Sequence, residues 1–270
     1  MALIACARMY NVTGPARQAW ARLFERIGQS SGVALRVIDH AAPAPLESLW
    51  KRPDLGCAFM CGWPFSRADP RPQLLAAPLP LGARYGGRPV YFTDLVVRRD
   101  RAYKRLEDTF GGRIGWTAEG SHSGFNAPRH LLLTYRSAGR PRLYGESLGP
   151  AVTPAAMLSW VVEGKVDVGP LDSYALDLIR RHEAARAAAI AVIGSTVASP
   201  IPPLVAAAGV DSATVTALRR ALLGAARDEE LAPVLAALGL AGFAAVDPHD
   251  YDVTRARAEA ALTAGYAFPE

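Results

Sequence analysis

Lysine is almost missing from this chain. Of thirty basic residues in 270, only Lys51, Lys104 and Lys165 are lysines. Lys165 falls at the start of an apolar run, away from the strand end where a ligand is expected, which disfavours a cofactor held through a lysine imine. Cysteine is as scarce: Cys6, Cys57 and Cys61 are an odd number, all in apolar runs, with no Cys-x-x-Cys pair. Buried thiols are the expectation; on an extended strand Cys57 and Cys61 would share a face but stand roughly 13 Å apart, beyond disulfide reach. The five histidines (His40, His122, His130, His182, His249) show none of the short spacings that let two ligands share a helix face, so no metal is expected. Nucleotide cradles are missing too, since neither Gly-x-x-x-x-Gly-Lys nor Gly-x-Gly-x-x-Gly stands between a strand and a helix. No apolar run approaches the roughly 20 residues that span a bilayer, and Met1 to Val12 lacks the charged start of a secretory signal. The resulting expectation is cytoplasmic if the chain is complete as given and periplasmic if a signal sequence was removed.

Charge excludes more than it selects. A net +5 and a pI near 9.3 favour anionic ligands mildly. The arginines (Arg17, Arg22, Arg36, Arg67, Arg84, Arg98, Arg129, Arg180, Arg219 among them) are scattered. Without a basic stripe and interleaved aromatics, no nucleic acid is expected as a partner. What is abundant is apolar residues, half of the chain, enough to bury the core of one large domain or two modest ones.

Strands and helices alternate along the chain. Leu3 to Ala7 reads as a buried strand, followed by a helix with Pro15 in its first turn, an apolar stripe at Ala16, Ala19, Trp20, Leu23, Phe24 and Ile27, and a stop at Gly32. Ala34 to Ile38 is a second strand, Pro45 to Lys51 a short helix, Leu55 to Met60 a third strand and Leu74 to Leu79 another. This alternation predicts a parallel sheet, with ligands gathering beyond the carboxyl ends of its strands, near Tyr10, Asn11 and Gly62-Trp63-Pro64. Pro89 to Arg99 is a long extended run, read as a strand leaving one sheet for another. Leu106 to Phe110 reads as a short helix and Arg142 to Tyr144 as a strand; Thr153, Pro154 and Gly164 bracket a helix. Val166 to Leu171 is a strand that places Asp172 at its carboxyl end, and Ala188 to Gly194 is another. Ser199 to Pro203 reads as a stiff second crossing, and Asp211 to Ala226, Glu230 to Leu238 and Tyr251 to Leu262 are helical by spacing.

The chemistry is placed in Gly111 to Leu133, GGRIGWTAEGSHSGFNAPRHLLL. It reads as strand, loop, helix, with Ser121, Ser123 and Gly124 at the helix N-terminus. Free backbone N–H groups, the positive end of the helix dipole, two hydroxyls and a glycine together suit an anion. A serine there also commonly caps its own helix, Ser123 in this instance. Asp172 facing such a site needs a cation, either Arg129 or an ammonium group on the ligand itself. Ser121 to Phe125 resembles the Gly-x-Ser-x-Gly elbow of serine hydrolases, but Ser121 and Phe125 stand where the glycines belong. A triad of Ser123, Asp172 and His249 matches hydrolase order without any local signature. Tyr10, Trp63 and Tyr91 fall near strand ends expected to face a cleft.

At this point the chain resembles a family, the phosphate/phosphonate-type solute-binding proteins of ABC importers, with the type 2 periplasmic-binding-protein fold. Ser121-His122-Ser123-Gly124 with Pro128-Arg129 looks like that family's Ser-x-Ser-Gly cradle. Tyr91-Phe92-Thr93-Asp94 before Val96-Val97-Arg98 is similar to its first crossing strand, Gly164 to Val168 to its Gly-x-x-Asp strand, Asp172 to the acidic residue following, and Ser199 to Pro202 to its returning strand. A departure is Leu148-Gly149-Pro150 and Thr153-Pro154, where the family commonly has Gly-Ser-His.

The resemblance implies an α/β chain of two doubly wound domains joined by two crossing strands, 1–92 with 199–270 and 93–198. It implies a non-catalytic solute-binding protein that closes on a small anionic or zwitterionic molecule for an ABC permease, as a monomer, with no cofactor. The expected ligand residues are Tyr10 and Trp63, from their places at strand ends, with Tyr91, Thr93, Ser121, His122, Ser123, Gly124 and Asp172 from the matching motifs. The alternatives are an enzyme on the same fold, such as a small-molecule transferase or synthase, and a cytoplasmic ligand sensor.

Overall fold

The computed structural model describes residues 2–270. By internal contacts the chain forms two compact units, residues 1–90 with 200–251 and residues 91–199 with 252–270.

In the first unit, β1 (Leu3–Cys6) runs into α1 (Gly14–Ser31). Thr13 caps α1 by accepting from the Ala16 N–H (3.2 Å), Pro15 stands in its first turn, and Gly32 ends it with a left-handed φ of 70°. The apolar stripe read from the sequence is the buried face: Ala16, Trp20, Leu23, Phe24 and Ile27 are all inside. Next come β2 (Leu35–Val37), α2 (Leu46–Trp50), β3 (Leu55–Phe59), α3 (Gly62–Arg67), β4 (Gln73–Pro80) and the two-residue strand β5 (Val90–Tyr91), whose second residue begins the other unit.

In the second unit, β6 (Thr93–Arg98) leads to β7 (Arg113–Gly115). A five-residue π-turn, His122–Asn126, then runs directly into α4 (Ala127–Leu132). After β8 (Glu146–Leu148) and α5 (Pro154–Val162) come β9 (Gly169–Asp172), α6 (Ser173–His182), α7 (Ala184–Ala188), β10 (Ile190–Ser195) and β11 (Ser199–Pro200). β6 lies between β10 and β9, antiparallel to both, with Thr93 opposite Asp172. β7 pairs in parallel with β8, and a bridge from Ile114 to Val168 ties it to the segment entering β9.

The chain then completes the first unit with β12 (Leu204–Ala206), α8 (Ser212–Gly224), α9 (Ala232–Leu238) and β13 (Leu240–Ala244). Its sheet order is β13-β4-β12-β3-β1-β2. The sheet is mixed where the sequence predicted a parallel one. β1 is parallel to β2 and β3, but β12 enters antiparallel between β3 and β4, and β13 covers the edge antiparallel to β4. β12 and β13 were not foreseen, because three apolar residues after a proline run and five after Gly239 show no alternation to read. The sequence assigns no element to Gly62-Trp63-Pro64, which begins α3; Pro64 sits in the first turn of α3, where no N–H is needed.

Two further expectations need correction. Arg142 to Tyr144 is not a strand; Leu143 is held by irregular partners, donating to the Glu270 carbonyl and accepting from the Gly111 N–H. The helix α10 (Asp252–Thr263) and the tail to Glu270 were assigned to the first domain but lie in the second unit. The cause is specific hydrogen bonding: Asn126 donates to the Thr254 carbonyl and Arg129 to those of Ala258 and Ala267.

Candidate functional site

The turn after β7 is built from its own side chains. Ser121 is the N-cap: its Oγ accepts from the Gly124 N–H at 2.9 Å, and its carbonyl accepts from the Asn126 N–H at 3.0 Å, the wide i to i+5 spacing of the π-turn. The cap expected at Ser123 is therefore made by Ser121. Because Ser121 only accepts there, its own hydroxyl hydrogen remains to be donated. Ser123 is freer still, with no protein partner for its hydroxyl or its amide among the described residues. Its carbonyl is held by Thr93, whose Oγ1 donates to it at 3.0 Å. Thr93 thus spends its only hydroxyl proton on positioning Ser123 and has none for a ligand.

Gly124 is glycine for a packing reason rather than for ligand approach. A Cβ there would lie 1.7 Å from Thr117 Oγ1 and 2.8 Å from Thr117 Cβ. Thr117, not singled out from the sequence, also locks the turn through its backbone, donating to the Gly124 carbonyl and accepting from the Val152 N–H.

His122 was expected to face the ligand, but both ring nitrogens are engaged with the protein. Asn126 Oδ1 accepts from Arg129 (3.3 Å), so Nδ2 of the same amide points at His122 Nδ1 (2.9 Å) and at the Thr254 carbonyl (2.8 Å). Nδ1 therefore carries no proton, and the neutral ring donates Nε2–H to Ser199 Oγ at 3.0 Å. Burial, with smaller contributions from the charges of Arg257 and His130, pushes the His122 pKa down to about 3. The imidazole is a fixed neutral strut under the turn. Ser199 also receives Nη1 of Arg257 from α10. Asn126 stands four residues after His122, a spacing readable as one helix face; Ser199 and Arg257 join only through the tertiary fold.

Asp172 ends β9 and caps α6, its Oδ1 accepting from the N–H groups of Tyr174 (2.9 Å) and Ala175 (3.0 Å). The sequence suggested Arg129 as a cation for it. Arg129 instead donates to the Ala267 and Ala258 carbonyls and to Asn126 Oδ1, and the helix terminus supplies the positive partner. The second unit thus brings together Thr93, Ser121, His122, Ser123, Gly124 and Asp172. Tyr91 is in the same unit, its ring 6.4 Å from that of His122.

Tyr10 and Trp63 belong to the first unit. Tyr10 is buried in an aromatic group, edge-on to Phe59 at 4.8 Å and 6.5 Å from Trp20. Trp63, on α3, lies partly open with the Arg67 guanidinium 4.5 Å over its ring. All three cysteines are free and buried, and burial raises the thiol pKa of Cys6 and Cys57. No helix among the described residues is long and apolar enough to cross a membrane.

The profile of the family described as ABC transporter, phosphonate, periplasmic substrate-binding protein matches residues 15–251. The chain belongs to this family. The role of this phosphonate-binding family is ligand capture as the substrate-binding component of a transporter, which is not a catalytic one. Solved structures show the same fold. A binding-protein component of an ABC phosphonate transporter from Pseudomonas aeruginosa is 16% identical with a TM-score of 0.80, covering 98% of this chain and 88% of its own. PhnD1 from Prochlorococcus marinus, in complex with methylphosphonate, is 14% identical with a TM-score of 0.78, covering 97% of this chain and 98% of its own. A histidine kinase sensor domain similar to periplasmic binding proteins is 17% identical with a TM-score of 0.56, covering 89% of this chain and 96% of its own. None of the curated proteins matches the sequence.

Proposed function

We propose that this family member captures a small phosphonate or phosphate-like anion, or a zwitterion carrying one, with its acid group at the turn Ser121–Gly124. The observation that carries the reading is the donor inventory of that turn. Ser121 retains a donatable hydrogen, and Ser123 has an uncommitted hydroxyl and amide at the start of a helical segment. These are neutral donors at the positive end of a helix, the arrangement that favours an oxyanion. The methylphosphonate bound to the Prochlorococcus relative supports the same ligand class.

In this proposal the two units are lobes that close on the ligand, with Trp63 supplying aromatic surface, Tyr10 and Tyr91 buried behind it, and the start of α1 a second set of helix N–H groups. The protein works in the periplasm as a monomer that delivers to an ABC permease. Calorimetry against methylphosphonate, phosphate, methanesulfonate and acetate tests the reading: phosphonate or phosphate should bind with the highest affinity. Preference for acetate, or no binding of any of the four, contradicts it.

A further inference from the structure

Arg129 and Arg257, in the second unit, have no acidic partner among the described residues. Other arginines are paired with carboxylates, among them Arg26 with Asp228, Arg52 with Asp54 and Arg113 with Asp167. Arg129 is 2% exposed, yet every group it donates to is neutral, and its Nε has no partner among the described residues. It lies over the Phe125 ring, 5.0 Å from the centroid. Arg257 is half-buried and donates to Ser199 Oγ and, at 3.0 Å, to the Ala198 carbonyl. A cation withdrawn from water without a counter-ion is costly, and the cost falls if an anion sits within reach of its field.

Both charges converge on one place. Arg129 holds Asn126, Arg257 holds Ser199, and Asn126 and Ser199 grip the two nitrogens of His122, the first residue of the turn that carries Ser123. His122 itself adds no charge: burial first, then the field of Arg257, keeps its ring neutral.

We infer that Arg257, with Arg129 behind it, is the charge-selecting residue of the site, a fixed cation that favours a doubly charged oxyanion at the Ser121–Gly124 turn over a singly charged one of the same shape. This rests on the proposed reading of that turn as the anion site. Hydroxyls and amides are neutral donors and distinguish the two charge states weakly; at an effective dielectric near 20 a formal cation contributes on the order of ten-fold in affinity per added ligand charge even across roughly 10 Å, as a general Coulomb estimate.

The test compares methylphosphonate with methanesulfonate, its singly charged counterpart, by calorimetry on wild type, Arg257→Gln and Arg257→Lys, above the range in which His130 and His122 titrate. Wild type should prefer the phosphonate dianion. The preference should fall about ten-fold in Arg257→Gln and return in Arg257→Lys, which keeps the charge but not the fork of hydrogen bonds. An unchanged preference in Arg257→Gln, or a lysine variant that behaves like the glutamine one, overturns the inference while leaving the anion site standing. Should Arg257→Gln fail to fold, wild type alone decides, because methylphosphonate affinity should rise as the ligand loses its second proton and a flat profile overturns the inference. Wild type binding neither ligand overturns this inference, and the functional reading falls with it if phosphate and acetate also fail to bind.

Discussion

Asn126 Nδ2 stands 2.9 Å from His122 Nδ1, and this contact sets the protonation state of the turn. It leaves the imidazole one proton, on Nε2, and ties that proton to Ser199. Burial, and then the charges of Arg257 and His130, oppose a second proton, which is why the His122 pKa is depressed to about 3.

That depression has a sign in stability. The ordinary pKa of histidine is about 6.5, so below it the unfolded chain binds a proton that the folded ring refuses. Stability should therefore fall by up to about 1.4 kcal/mol per pH unit as pH drops from about 6.5 towards the folded value near 3. Denaturant unfolding of wild type and His122→Gln across pH 4–8 checks it: the stability difference between the two proteins should be constant above about pH 7 and shrink below about 6. A difference that does not change with pH contradicts the neutral strut.

Gly124→Ala should destabilise the protein by about 1–3 kcal/mol, because its methyl would overlap the Thr117 side chain. Thr117→Ala in the same background removes Oγ1 but not Cβ, so it should recover only part of the loss. Thermal unfolding of wild type, the single variant and the double variant measures this. A Gly124→Ala variant as stable as wild type shows that the turn has room its packing denies.

Asp172→Asn should keep the fold within about 0.5 kcal/mol, since asparagine caps a helix as well as aspartate does. Its effect on binding separates two ligands. If a ligand ammonium is recognised at Asp172, an aminoalkylphosphonate should weaken strongly and its deaminated analogue should not. Equal weakening of both by calorimetry leaves Asp172 a helix cap alone.

Deleting residues 252–270 should unravel the second unit preferentially, because Asn126 and Arg129 lose the carbonyls of Thr254, Ala258 and Ala267, and Ser199 loses Arg257. Hydrogen exchange should show protection lost through residues 113–172 and retained in β1 and β3. Uniform retention contradicts the placement of α10.

The parts that were legible in the sequence are those whose signal is local. The apolar stripe of α1, its stop at Gly32 and the start of α5 after Thr153 each depend on residues within one or two turns, and each stands as read. The turn Ser121–Gly124 was legible for the same reason. What stayed hidden depends on partners distant in the chain. β12 is a strand because β3 and β4 flank it, and α10 joins the second unit because buried donors on α4 and the π-turn need its carbonyls. The role of His122 was misread for that reason: sequence places it beside two serines, and only Ser199, 77 residues away, shows where its ring points.

The most direct test of the central claim is methylphosphonate calorimetry on Ser123→Ala and Ser121→Ala, with unfolding measured in parallel. Ser123 bonds nothing through its hydroxyl among the described residues, so Ser123→Ala should lose roughly 1–3 kcal/mol of binding with stability unchanged. Ser121→Ala removes the cap as well, so it should lose binding and about 0.5–2 kcal/mol of stability together. If Ser123→Ala binds methylphosphonate as tightly as wild type, the Ser121–Gly124 turn is not the anion site.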